Sequence, residues 1–196
     1  WNIRLFSDNK LTHSYDIDLK DRNVMIHFGS KSLGDTIAWF PYVNEFRNKH
    51  NCNIYVSTFW NKLFDKKYPE LNFINPGTVV QDLYAAYQIA CEDDEDDVRN
   101  KNNWKSQPLQ KTSSDILGLE YKEMKPMISE LWGEREIKEK YVCISEWSTM
   151  GCKHWNYPHT WQSLVDWLNS HGIKVAVVSF EKTELKNIIN HTQRTI

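Results

Sequence analysis

VMIHFGSKSLGDTIAWFPYVNEFRNKH, residues 24–50, decides the fold. The apolar run VMIHF is followed by seven mostly small and polar residues, GSKSLGD, and apolar residues then return at helical spacing from Asp35 to His50. That order is strand, loop, helix. A second apolar strand, NIYVST at 53–58, comes next. The amphipathic NKLFDKKY at 61–68 is closed by Pro69, and LNFI at 71–74 supplies a third strand. Strands that alternate with helical segments imply a parallel sheet covered on both faces.

Outward from this block, IRLF and THSYDIDL flank the polar turn SDNK, so residues 1–22 read as an appended hairpin. LYAAYQIAC at 83–91 admits either period and is read as a strand. The polar stretch EDDEDDVRNKNNWKSQ at 92–107 is a solvated loop, and PLQKTSSDILGL is a helix entered at proline and left at Gly118. EMKPMISELW is extended. At Lys140 the pattern starts again, with YVCISEW as strand, STMGCKHWNYPHT as loop, WQSLVDWLNSHG as helix and KVAVVSF as strand. KTELKNIINHT is expected to begin another helix. The expectation is two α/β lobes, 23–138 and 139–196, the second incomplete, and ligands at the carboxyl ends of the strands, in loops 29–35 and 146–158.

Composition narrows the function classes. The 196 residues carry 24 Lys and Arg against 26 Asp and Glu, a net charge of −2, with no basic stripe to follow a phosphate backbone; nucleic acid is not an expected partner. No stretch approaches the apolar length of a membrane span and the N-terminus has no signal-peptide order, so the cytoplasm is the expected location. Cys52, Cys91, Cys143 and Cys152 form no CxxC pair and no zinc spacing, and are expected as buried free thiols. Nine Trp, nine Tyr and eight Phe serve a core first, and sugar or base stacking second.

Two loops hold the candidate chemistry. In GSKSLGD, Gly29 and Gly34 allow close backbone approach, and Asp35 stands at a helix start. Asp35 has two readings there: it caps the helix, or it accepts a proton from an attacking hydroxyl. The second loop places Ser145, Ser148, Thr149 and Lys153 before a helix, with Trp155 and Pro158 closing it. Hydroxyls, loop amides and one lysine suit a diphosphate leaving group, and an exposed surface lysine is the plain alternative.

FGSKSLGDTIAWFPYVNEFRNKHNCNIYVSTFWNKLF and ISEWSTMGCKHWNYPHTWQSLVDWLNSHGIKVAVVS together resemble the autotransporter O-heptosyltransferases, relatives of the lipopolysaccharide heptosyltransferases. The likeness runs in order from about Asn23 to Ser179, and its specific motifs are SLGDTIAW and CKHWNYP. It implies a GT-B fold with an N-terminal Rossmann-like acceptor lobe and the start of a C-terminal lobe for the nucleotide-sugar, chemistry in the cleft, and inversion at the anomeric centre. By the same resemblance Asp35 falls on the general base, Lys153 on the lysine that contacts donor phosphates, and Ser148 and Thr149 on its neighbouring hydroxyls. Trp155 is read as packing the loop on its helix.

The implied reaction moves heptose from ADP-heptose to a protein serine or a saccharide hydroxyl, with a homo-oligomer compatible. Family members are about twice this length. The remainder would carry the rest of the nucleotide pocket and, in some members, cysteines that hold iron, so no metal or cofactor site is expected in this chain. Three rivals stand beside this reading. One is a glycosyltransferase using another nucleotide-sugar, and one is a non-catalytic binding or assembly module of the same fold. The third is a metal-dependent GT-A enzyme with Asp94 and Asp96 as its DxD.

Overall fold

The structure is a computed structural model in which residues 2–91, 106–129, 134–148, 151–155 and 157–193 are described. The chain divides into two compact units, Trp1–Leu131 and Trp132–Ile196.

Unit 1 opens with the antiparallel hairpin of β1 (Asn2–Ser7) and β2 (Lys10–Asp16). Its two-residue turn is made by Asp8 and Asn9, both at positive φ, the conformation that matches the twist of paired strands. The hairpin pairs Ile3 with Tyr15 and Phe6 with Leu11, and these side chains stay largely exposed.

The main sheet has the order β5-β4-β3-β6, all parallel, from β3 (Asn23–Phe28), β4 (Asn53–Ser57), β5 (Asn72–Ile74) and β6 (Ala85–Ile89). The expected strands are therefore present, the ambiguous 83–91 segment among them. Helical cover differs from expectation. Residues 35–50 do not form one helix but two, α1 (Leu33–Trp39) and α2 (Pro41–His50), because Pro41 has no N–H to continue the ladder and serves as the first residue of a new helix. Among the described residues the two sheet faces are covered unequally. Val24, Ile26, Phe28, Ile54 and Val56 are buried with the residues of α1 and α2, whereas Met25, His27 and Tyr55 are half-buried and Ala86 and Gln88 exposed. The link after β4 contains a single 3-10 turn (Asn61–Leu63) and the link after β5 no helix, so neither link lays a helix on the second face.

The buried face is aromatic. Phe40 stacks on Phe64 with ring centroids 3.8 Å apart, and Trp39 meets Phe28 edge-on at 5.9 Å. Each such ring buried contributes about 1.5–3 kcal/mol by area alone, so the aromatic richness is spent on the core. Helix α3 (Leu109–Ile116) locks onto α1 through polar bonds, Trp39 Nε1–H to Leu109 O at 3.0 Å and Ser113 Oγ–H to Trp39 O at 3.1 Å. Gly118, at φ +63°, follows α3 as expected.

Unit 2 holds a parallel sheet β7-β8-β9 and one helix: β7 (Tyr141–Ile144), α4 (Thr160–Ser170), β8 (Lys174–Ser179) and β9 (Ile189–Thr192). The helix expected over 182–192 is a loop and a strand instead. Asn187 sits at φ +59°, which interrupts a helix, and the Ile189–Thr192 segment gains a full ladder against β8. Its core is thin, Val165, Leu168 and Val175 with half-buried neighbours. No disulfide joins the four cysteines, but only Cys52 is buried; Cys91 is half-buried, and Cys143 and Cys152 are exposed. Cys143 stands on a strand whose outward row has no helix over it, and Cys152 sits in a one-turn 3-10 helix (Gly151–Lys153). Burial pushes the Cys52 thiol up to about 11.

Candidate functional site

The loop after β3 sits at the carboxyl end of a central strand, where an open parallel sheet presents ligands. Gly29 opens it, with its N–H bonded to Ile89 O at 2.9 Å on β6. A Cβ on Gly29 would lie 3.0 Å from Gln88 Nε2 and 3.1 Å from Ala90 Cβ, so glycine is needed here for packing against β6. Gly34 is different: a Cβ there would meet only Ser32 Oγ, at 3.8 Å.

Asp35 is not the helix cap. Ser32 is, in extended conformation, and its Oγ accepts from the Asp35 N–H at 3.4 Å. Asp35 is thereby the third residue of the helix, and its half-buried carboxylate turns to Ser30, whose hydroxyl donates to Oδ2 at 2.6 Å. Ser30 Oγ in turn accepts the Ser32 N–H at 3.0 Å. In an ordinary capping box the third residue's carboxylate would take the cap's N–H directly; here a serine hydroxyl is inserted between them. Among the described residues no protein donor is assigned to Asp35 Oδ1. An ionised carboxylate with one oxygen occupied and one open can take a proton from a hydroxyl.

The rest of this loop is braced. Trp60 Nε1–H donates to Lys31 O at 2.9 Å, and Lys31 Nζ lies 5.4 Å over the Phe59 ring. His27, one residue before Phe28 on the less covered face, is pushed below its usual imidazole range by burial.

In unit 2, Lys153 ends the 3-10 turn, with its side chain exposed. His154 holds the loop together: Ser148 N–H donates to His154 Nε2 at 3.1 Å, and the same nitrogen lies 2.8 Å from Ser148 O. One tautomer makes the first contact a bond and the other the second. Ser148 and Lys153 are thus brought onto one closed turn. Trp155 meets Trp161 of α4 edge-on at 5.1 Å, so the loop is packed on the helix as expected. Thr149, Asp94 and Asp96 lie outside the described residues. Glu146 accepts a hydrogen bond from the buried Thr183 hydroxyl, tying the ends of β7 and β8. A cavity of about 700 Å³ lies at the other end of the unit 2 strands, lined by Lys174, Gly172 and Ile189, away from this loop.

Sequence reasoning passed over Ser30 and His154. A sign of the first was available, a serine two residues ahead of a Ser-x-x-Asp cap. His154 carries no comparable signal, since its value comes from a backbone six residues away.

No protein-family model matches the chain. Among known proteins it is similar to the autotransporter heptosyltransferase Aah of Escherichia coli, at 34% identity over 169 residues, 83% of this chain and 42% of Aah. TibC of E. coli O78:H11 is 30% identical over 185 residues, 91% of this chain and 45% of its own. BimC of Burkholderia thailandensis, named an inactive autotransporter heptosyltransferase, is 26% identical over 180 residues, 90% of this chain and 43% of BimC. The crystal structure of TibC from enterotoxigenic E. coli, described as an iron-containing dodecameric glycosyltransferase, aligns with a TM-score of 0.84 at 24% identity over 97% of this chain and 53% of that one. A second TibC structure is a complex with ADP-D-beta-D-heptose. Among the described residues no three His, Cys, Asp or Glu side chains are grouped to hold a metal, so these residues offer no ligand set for an iron. The chain spans less than half the length of these curated relatives; it is a homologue of the autotransporter heptosyltransferases, with the α/β fold of the TibC glycosyltransferase.

Proposed function

We propose that the protein carrying this chain is a glycosyltransferase that moves heptose from ADP-heptose onto a hydroxyl of a protein serine or a saccharide, with inversion. The observation that carries the reading is the Asp35 carboxylate at the carboxyl end of β3, with Oδ2 held by Ser30 and Oδ1 open, in a chain homologous to Aah and TibC. In the reaction, Oδ1 takes the proton of the acceptor hydroxyl while that oxygen bonds the anomeric carbon and the bond to the donor's phosphate oxygen breaks. Lys153, with the hydroxyls of Ser148 and Thr149, bears on the diphosphate and offsets the charge that grows on it as it leaves. Gly29 and Gly34 keep the loop backbone low around the acceptor. Assembly as a homo-oligomer, the state described for TibC, belongs to the same proposal.

A second reading is favoured by one finding, the similarity to BimC: a module of this fold that binds without turnover. Incubating the intact protein with ADP-heptose and an autotransporter acceptor, followed by mass spectrometry of the acceptor, separates the two. Mass increments of one heptosyl group support the enzyme. Donor binding without transfer supports the module.

A further inference from the structure

We propose that Ser30 is a positioning residue for the base: it fixes the Asp35 carboxylate in one orientation and leaves Oδ1 for the acceptor hydroxyl. The inference rests on the reading of Asp35 as base and adds to it a residue that acts through Asp35. The hydroxyl of Ser30 has a single proton, and at 2.6 Å from Oδ2 it makes a bond in the short range typical of a hydroxyl donating to an ionised carboxylate. Its oxygen simultaneously accepts the Ser32 N–H at 3.0 Å. A hydroxyl whose oxygen is already accepting is a stronger donor, so the two bonds reinforce each other.

Ser30 is not a loosely hung side chain. Gly29 before it is bonded to Ile89 O and Lys31 after it to the Trp60 indole, each at 2.9 Å, which pins the backbone on both sides to the ends of neighbouring strands. The acceptor of its proton is pinned as well, since the Asp35 N–H is bonded to the Ser32 cap. Base and positioning group are therefore built into one six-residue segment, Ser30 to Asp35. During transfer Ser30 keeps its proton; the acceptor's proton ends on Asp35 Oδ1, and the electron pair of the broken glycosidic bond leaves with the diphosphate.

The test is turnover at saturating ADP-heptose for the intact protein and its Ser30→Ala, Ser30→Thr and Asp35→Asn variants, with acceptor KM, donor affinity by calorimetry and thermal melts. Ser30→Ala is expected to lower kcat about tenfold with acceptor KM and donor affinity unchanged. Ser30→Thr, which keeps the hydroxyl, restores kcat. Should Ser30→Ala melt early, Ser30→Gly removes the same hydroxyl and is read in its place. Wild-type kcat in Ser30→Ala while Asp35→Asn is inactive overturns the role of Ser30 and leaves the base. Failure of Ser30→Thr to restore kcat also overturns it, as damage to the loop alone. Wild-type turnover by Asp35→Asn removes the base itself, and the proposal with it.

Discussion

Replacing Asp35 by Asn in the intact protein separates chemistry from folding with unusual clarity, because the structure gives the helix start to another residue. The Asp35 N–H bonds the Ser32 hydroxyl at 3.4 Å, a backbone contact that Asn retains. The side chain loses its charge but can still accept the Ser30 hydroxyl, now as a neutral bond, at a cost of about 1 kcal/mol. Removing a negative charge from the first turn of a short helix costs a further ~0.3–1 kcal/mol. Together these predict a fall in Tm of only a few degrees. With Asp35 as the proposed base, turnover is expected to drop by at least ~100-fold on loss of the basic carboxylate, equivalent to about 2.7 kcal/mol in the barrier. The assay pairs thermal unfolding with heptose transfer at matched donor saturation. A folded Asp35→Asn protein with near-normal transfer would refute the assignment.

Three further outcomes are expected. Gly29→Ala should destabilise by about 1–3 kcal/mol, because the new methyl meets Gln88 and Ala90, while Gly34→Ala should be neutral or stabilising by up to about 1 kcal/mol; denaturant titration of the pair decides it. Lys153→Ala should weaken donor binding at least about tenfold by calorimetry with Tm unchanged, since the exposed lysine has no packing to lose. An alkylating thiol reagent should label Cys143 and Cys152 in the native protein and reach Cys52 only on unfolding, as burial and a thiol held near 11 keep it protonated; rapid native labelling of Cys52 would show that the α2–β4 core is open.

The strands were legible because VMIHF, NIYVST, YVCIS and KVAVVS are short apolar runs bounded by turn residues, and such runs have few other places to go. The same local signals misjudged what surrounds them. Pro41 sits in a pattern periodic enough to suggest one helix, and its effect on the ladder outweighed the periodicity. Residues 182–192 have apolar positions that suit a helix, yet a parallel partner beside them makes strand the better burial. The exposure of Cys143 depends on what packs over β7, which no window of sequence reports. At the site, Asp35 and Lys153 were named by residue type and by resemblance, and they stand as proposals. The Ser-x-x-Asp spacing signals the cap at Ser32, whereas the bond from Ser30 depends on which way the Asp35 carboxylate turns.

Placing the cap on Ser32 has an evolutionary corollary. If one residue both started α1 and carried the chemistry, losing the chemistry would endanger the protein, and selection would purge the carrier. With the duties divided, and with Asp35 as the proposed base, one substitution at position 35 would silence transfer while the sheet and the aromatic core persist. A lineage with such a chain can shed catalysis in a single step and keep a folded body that is free to acquire another use.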